Sequence, residues 1–343
     1  MVSRLPFFIV RRLINAAITI VALILLIFLL LHILVPTPEG MARIIAGNPR
    51  VSPSNIALII KENGLNLPLW QQFFNYLAGI FQGNWGTDTI YKIPEIHVLE
   101  EFLPITLELI IIAQVVGVLV GLYTGGIAAS NRNRPQDYAV KAVYLTTWSA
   151  PIFLVGFIVQ LVFAYWLNLL PSVGYVDPTL IPPHAVTGFP LIDSLVAGDW
   201  TYLYSTLQHL VLPATAIAVA GFGLVTRLTR ASMIDALDKD YVKLAYMKGL
   251  SKRKVVWGTA FRNAVIPIIT LIALLFAFSA GGAVVIEDIF AYHGMGYFVT
   301  QAIYNTDYTA ILAYTVIIGI SVVGANLIAD LLYAVADPRV RLS

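Results

Sequence analysis

Reactive side chains are sparse in this 343-residue chain, and few sit at spacings that support chemistry. There is no cysteine, which excludes disulfides, thiolate metal sites and thiol nucleophiles. The five histidines are scattered, and His97-x-x-Glu100 lacks the second histidine of a helical zinc motif. A phosphate-cradling loop needs the pattern G-x-x-x-x-G-K-[ST], but the dipeptide Gly-Lys occurs nowhere. Gly221-x-Gly223 lacks a third glycine and lies in an apolar run, so it is no dinucleotide loop. No carboxylate pair or nucleophile–base set stands at catalytic spacing. What remains is four acids in or beside apolar runs, Glu108, Glu287, Asp288 and Asp330, and one basic stretch. That stretch, Asp238 to Trp257, reads DKDYVKLAYMKGLSKRKVVW, and six of its twenty residues are Lys or Arg. An acid beside lipid is costly. Each of the four is either held by a buried hydrogen bond or the interface, or it contacts a substrate or gate. The chain needs no cofactor of its own on this reading, and its chemistry is recognition and motion.

The elements that must position these groups are apolar. Hydrophobic residues make up 59% of the chain and charged residues 12%, and 19 acids with 21 bases cannot cover a soluble surface of this size. Six runs are long enough to cross a bilayer as helices: Ile9–Val35, Leu103–Ala129, Ala142–Leu170, Leu207–Leu228, Ala264–Ile286 and Thr309–Ala336. They are continuous rather than alternating, which argues against a membrane barrel. The first run is roughly twice the length of a signal-peptide core and lacks a small-x-small site, so it reads as a retained membrane helix. The expected fold is therefore all-α and integral to the membrane, a single domain over residues 1–343 with six spans.

Charge sets the orientation. With the N-terminus in the cytoplasm, the inside segments 1–12, 130–141, 226–263 and 337–343 hold three, three, nine and two Lys or Arg residues. Only Arg43, Arg50, Lys61 and Lys92 fall outside. That bias predicts cytoplasmic termini at the cell membrane and a cytoplasmic basic stretch. Residues 36–102 become an extracytoplasmic insertion. After Pro68 within it, Trp70, Phe73, Phe74, Leu77, Ile80 and Phe81 recur at helical spacing, as a cap on the spans or a docking surface for an external partner. Residues 171–205, rich in Pro, Gly and Asp and without a base, read as an ordered loop at the outer mouth. Trp70, Trp85, Tyr175 and Trp200 there serve as interfacial anchors or stack on sugars. Gly117, Gly121 and Gly125 form a small-residue stripe, for close helix packing or for lining a pathway. Pro151 and Pro213 kink or bound their spans. His32 sits near the outer interface and is given no ligand role.

The basic stretch has its own grammar. Asp240 can cap a short helix, Tyr241–Lys248; Gly249 fits the left-handed residue that ends it; Ser251 can cap the next helix, which runs from Lys252 through Arg262 and Asn263 to Pro267. Residues 229–263 thus form a helix–turn–helix against the cytoplasmic face. It is a basic loop resting on anionic lipid, a DNA-binding unit, or a docking element for a cytoplasmic motor. Tethering to spans at both ends leaves little room to follow a DNA groove, so nucleic acid is not expected as a partner. A motor needs small residues where it closes in, and Ala245 and Gly249 stand four apart on one face.

From Leu212 the chain reads LPATAIAVAGFGLVTRLTRASMIDALDKDYVKLAYMKGLSKRKVVWGTAFRNAVIP. This closely resembles the permease subunits of ABC importers of the dipeptide/oligopeptide/nickel group, and the first, B-type, permease of that group. The family's coupling motif, E-A-A-x3-G, is matched here by Lys243-Leu244-Ala245-x3-Gly249, which departs at its first two positions. The likeness extends over nearly the whole chain: Arg11-Arg12-Leu13, LNLPLWQQFFNYLAGIFQGNWG from Leu65, Leu103-Pro104 with Thr106-Leu107-Glu108, Leu170-Pro171 with Gly174-Tyr175, Glu287, Phe290, Gly294-x-Gly296, Asp330-Leu331-Leu332-Tyr333 and Asp337-Pro338-Arg339. Val35-Pro36-Thr37-Pro38 stands where the family often has a Pro-Gly-Asp-Pro-like turn.

The resemblance implies a six-helix ABC importer type I permease fold. It implies as partners a second permease, two ATPase subunits that bind ATP and Mg, an extracytoplasmic binding protein, and membrane lipid. The coupling residues would be Asp240, Tyr241, Ala245, Lys248, Gly249, Leu250 and Ser251. Short peptides are the implied cargo, and similar permeases serve oligosaccharides. Some relatives carry nickel, but nothing here ligates metal. A secondary transporter, the alternative, needs ion-coupling acids near the midplane and inverted repeats, and neither is evident. An intramembrane enzyme lacks its catalytic groups.

Overall fold

Lipid offers backbone groups no hydrogen-bond partner, so apolar runs close their bonds within helices. The computed structural model describes residues 5–47 and 50–336. Among them the secondary structure is helical, with one isolated bridge pairing Thr87 and Pro94. In chain order the helices are α1 (Leu5–Leu34), α2 (Pro38–Ala46), α3 (Pro53–Glu62), α4 (Leu69–Phe81), α5 (Glu95–Ser130), α6 (Pro135–Ser149) and α7 (Ile152–Trp166). They continue as α8 (Pro190–Ala197), α9 (Trp200–Leu237), α10 (Asp240–Met247), α11 (Lys252–Ala264), α12 (Ile266–Ile289), α13 (Met295–Tyr304) and α14 (Tyr308–Ala336).

Four of these, α1, α5, α9 and α14, are long and apolar enough to cross a membrane, and two bent pairs raise the number to six if each pair crosses once. The expected run Ala142–Leu170 is one such pair: α6 and α7 meet at 105°. Pro151 is the cause. It has no N–H to give and it pushes the preceding residue out of helical geometry. Ala150 accordingly is extended, with φ −82° and ψ 128°. The second bend separates α11 from α12 at Pro267. Asp337-Pro338-Arg339 lies outside the described residues.

α5 and α9 form the spine. The glycine stripe is their seam. A Cβ on Gly117 would stand 3.1 Å from the Ala218 carbonyl oxygen, on Gly121 3.1 Å from that of Phe222, and on Gly125 2.7 Å from that of Thr226. Each glycine thus meets α9 backbone one turn further on, and the close approach is what its missing side chain allows. Around this seam α7 and α12 complete an apolar core that includes Leu109, Ala113, Val155, Leu212, Ile217, Ile286 and Phe290.

Short helices gather at the end of the bundle where α5 and α9 begin, here the cap end. α4 lays Phe73, Tyr76, Leu77 and Ile80 on Ile24 and Phe28 of α1 and on Leu312 and Val316 of α14, and leaves Trp70, Phe74 and Phe81 exposed. His32 ties α1 to this helix: its Nδ1 lies 2.8 Å from the Phe28 carbonyl and its Nε2 3.2 Å from Gln72 Oε1. At the opposite, basic end, α9 runs into α10 and α11.

Candidate coupling surface and the buried carboxylates

α10 ends as its sequence suggests. Gly249 adopts φ +75°, its N–H donates to the Tyr246 carbonyl at 2.9 Å, and the Leu250 N–H reaches the Ala245 carbonyl at 3.3 Å. This pair of bonds is the Schellman closure, in which glycine avoids the strain that a Cβ brings to left-handed backbone. The start differs from expectation. Lys239, extended at φ −79° and ψ 150°, holds the N-cap position, and Asp240 is the first helical residue. Asp240 Oδ1 accepts from Lys243 Nζ at 2.8 Å instead of from backbone. A carboxylate in the first turn still opposes the positive end of the helix dipole, and a lysine three residues on is within reach. The Lys243 bond holds the Asp240 carboxyl below its ordinary pKa. Ser251 is extended at the head of α11, but its side chain caps nothing; its carbonyl accepts from the Val255 N–H at 3.0 Å. α11 stops at Ala264, short of the expected Pro267, and is π-helical over Val255–Ala260.

α10 has two faces. Val242 and Ala245 are buried on Met233 and Ala236 of α9, Ala129 of α5, and Val255, Val256 and Ala260 of α11. Ala245 therefore spends its small size against the bundle, not beside Gly249 on the open side, where a Cβ on Gly249 would meet nothing within 4 Å. The open side carries Tyr241, Leu244 (51% exposed), Tyr246, Met247 (83% exposed) and Leu250, with Lys248 and Ser251 also exposed. These exposed apolar side chains are grouped on one side of the helix, at the basic end of the bundle.

One ion-pair clamp ties α9 to α6 beside that surface. Asp137 is fully buried and receives Arg230 in a two-pronged grip, Nε to Oδ1 at 2.6 Å and a terminal guanidinium nitrogen to Oδ2 at 2.8 Å. Lys141 Nζ at 3.0 Å and the Asn133 N–H at 3.0 Å complete its shell. Sequence reading missed this pair. Its signal was available: Asp137 is the sole acid among the three bases of segment 130–141.

The cap end holds the other buried acids. Glu287, fully buried, accepts from Thr106 Oγ1 at 2.6 Å and from the Gly296 and Tyr297 N–H groups at 2.6 and 3.2 Å. It thus joins α5 and α12 to the first turn of α13, whose unpaired N–H groups attract an anion. Glu108 does the same for α8, accepting from the Leu191 N–H at 3.0 Å through Oε2, while its buried Oε1 has no hydrogen-bond partner. Asp307 accepts from the Thr89 and Ala310 N–H groups at 2.7 and 3.0 Å, and from Thr89 Oγ1. Asp193 accepts from Thr187 and Gly188. Asp88 takes the Ile90 and Tyr91 N–H groups at 2.7 and 2.6 Å. Burial raises the Asp88 pKa; those bonds act against the rise and nearby Asp307 adds to it. Of the remaining candidates, Asp288 is exposed, and Asp330 lies on α14 with its side chain outside the described residues. The four acids named from sequence do not converge: Glu108 and Glu287 sit in separate polar knots. Mid-bundle, Gln114 of α5 donates to Ser279 of α12, a buried pair that sequence reading also passed over. Among the described residues, no three His, Asp or Glu side chains are grouped to hold a metal ion.

Comparison with known proteins bears on the whole chain. The family described as binding-protein-dependent transport system inner membrane component matches residues 117–342, and the N-terminal membrane component of such systems matches residues 5–92. The chain is 36% identical over 313 residues to the probable D,D-dipeptide transport system permease protein DdpB of Escherichia coli K12, covering 91% of each chain. It is 34% identical to the dipeptide transport system permease protein DppB of the same strain, covering 97% of this chain and 98% of that one. It is 32% identical to the glutathione transport system permease protein GsiC of Salmonella choleraesuis, again covering 97% and 98%. The described residues fold as helices with four to six candidate spans, in keeping with a component embedded in a membrane. The chain belongs to the family of binding-protein-dependent transport system inner membrane components and is a permease subunit of an ABC importer.

Proposed function

We propose that this permease moves short peptides into the cell, driven by separate ATPase subunits that grip α10. The observation that carries the reading is the open side of α10, where Leu244 and Met247 stand exposed at 51% and 83% while Val242 and Ala245 anchor the same helix to the bundle. A helix held on one face and apolar on the other is built to enter a groove. The absent phosphate-binding loop supports placing ATP and Mg on partner chains. The peptide cargo follows the relatives, whose names specify dipeptides, D,D-dipeptides and glutathione.

In the assembly this chain pairs with a second permease, two ATPase subunits lie beneath α10 and its counterpart, and an extracytoplasmic binding protein delivers peptide at the cap end. The Lys and Arg bias supports cytoplasmic termini and a basic end that faces the ATPases across the cell membrane. Asp240, Tyr241, Lys248, Gly249, Leu250 and Ser251 line or shape the docking side, and Ala245 seats the helix on the bundle. Glu108, with one oxygen unbonded, and exposed Asp288 are read as pathway or gate contacts. Glu287 fixes the corner between them, and Asp330 is assigned to the opposite end of the gate.

The test is ATP hydrolysis by the lipid-reconstituted assembly with its binding protein, given a panel of short peptides and, separately, a panel of oligosaccharides. Stimulation by peptides supports the reading, and stimulation by oligosaccharides alone replaces its cargo. Uptake that persists without ATP overturns it in favour of a secondary transporter. Gly249→Trp adds bulk and left-handed strain where the groove must close. It is expected to abolish transport while membrane insertion is retained; normal transport would remove α10 as the docking element.

A further inference from the structure

The apolar cluster beneath α10 is built mainly of Ala and Val, and among its buried members only Ala129 belongs to α5. A second contact with α5 is larger. Along α11 the backbone is π-helical from Val255 to Ala260, and such turns reset the direction in which side chains leave a helix. Trp257, within that stretch, lies on Gly126 of α5. A Cβ on Gly126 would come within 2.9 Å of the indole Cζ3 and 3.0 Å of Cζ2, so any larger residue would evict the ring. Tyr123, one turn away on α5, stacks on the indole with centroids 5.9 Å apart and planes 17° apart. Phe261 closes the other side at 5.6 Å. The neighbouring Gly125 meets Thr226 and Thr229 of α9. The basic end of α5 is therefore held between α9 on one side and Trp257 on the other.

We propose that the indole of Trp257, seated on Gly126 and Tyr123, is the contact that passes a displacement of α10 and α11 to α5, and so is a positioning residue for the gate. This rests on the reading of α10 as the ATPase docking element. A rigid ring with two rotatable bonds suits the task, because it transmits a push with little loss to its own rearrangement. Without it the α10–α11 unit reaches α5 through Ala129 alone among the buried members of the cluster, and its other apolar contacts, with Met233, Ile234, Ala236 and Leu237, are to the end of α9.

The experiment uses the full assembly in proteoliposomes with its binding protein. Uptake of alanyl-alanine and ATP hydrolysis are measured in the same vesicles. Because the chain has no cysteine, a single Val115→Cys label on exposed α5 surface adds a substrate-free readout: its spectral response to ATP with vanadate. Trp257→Ala is expected to co-purify with the ATPases and to hydrolyse ATP. Its uptake per ATP should fall about tenfold, and its Val115 label should fall silent. Trp257→Phe should restore part of both, and Gly126→Ala, which fills the seat from the other side, should copy the loss. Trp257→Ala with the wild-type ratio of uptake to hydrolysis and a responsive label would overturn the proposal. So would a fall in both activities only in proportion to assembled protein, which marks a structural role. If the wild type itself recruits no ATPase and its label ignores ATP, the reading of α10 fails and this proposal falls with it.

Discussion

The two ends of the molecule bond most of their buried acids in opposite ways, Glu95 at the cap end being bonded in neither. At the cap end, Glu287, Asp307, Asp193 and Asp88 each accept two backbone N–H groups. At the basic end, Asp137 takes Arg230 and Lys141. The distribution of charge explains the difference: the cap-end segments offer only Arg43, Arg50, Lys61 and Lys92 of 21 bases. An acid with few cations nearby wraps the chain around itself, and the result is a loop or helix start of fixed shape. An acid among cations joins two helices through long side chains. The cap end is thereby sewn by its own backbone, and the basic end is clamped through the buried Asp137 and packed by small apolar residues around one large ring, Trp257, with a surface left open.

Breaking the clamp should have the largest effect. Arg230→Ala leaves the Asp137 carboxylate buried without its main partner, and removing one member of such a pair costs about 3–5 kcal/mol. Thermal unfolding in detergent should show the drop, and Asp137→Asn in the same background should recover part of it. A cap-end cut comes next. Glu287→Gln replaces a carboxylate that accepts three bonds with an amide that can serve only some of them, at about 1.5–3 kcal/mol. The contrast is sharpened by combining the two. If the ends are independently built, Arg230→Ala and Glu287→Gln should add to within about 0.5 kcal/mol; a larger discrepancy means the α5–α9 seam couples them.

The smallest effect concerns pH. Burial holds the Asp88 carboxyl above its ordinary value, so the folded cap binds its proton more tightly than the unfolded chain does. The stability from that proton is complete below the ordinary carboxylate range and is lost as pH rises through the elevated folded value. Thermal stability should therefore decline slightly over that upward window, and Asp88→Asn should flatten part of the decline. A slope of the opposite sign would reassign the cap's titration to another group.

Local signals in the sequence were the dependable ones. Gly249 was legible because a left-handed turn after a helix selects glycine, and the stripe at Gly117, Gly121 and Gly125 because its period matches a helix face. Long-range partners were not legible. Glu287 meets Thr106, 181 residues away, and no local pattern names that hydroxyl. Nothing local to Gly126 names Trp257, which lies on it from 131 residues away. Asp240 misled for a subtler reason: a capping residue type stood one place inside the helix, where a neighbouring lysine competes with the backbone for its oxygen. Pro151 marks a break in the third apolar run, but a proline says where a helix breaks and not that its two halves meet at 105°.

The length of α9 has a mechanical consequence. Pro213 interrupts its hydrogen-bond ladder once, and from Ala214 to Leu237 the helix is a single arm of about 36 Å at the standard rise. Levers convert angle into distance. A tilt of about 10° at the basic end sweeps the far tip of that arm through roughly 6 Å, the width of a small side chain, without breaking a bond inside it. Any rotation of this arm about its basic end would be carried undiminished as far as Pro213, the one interruption in its ladder.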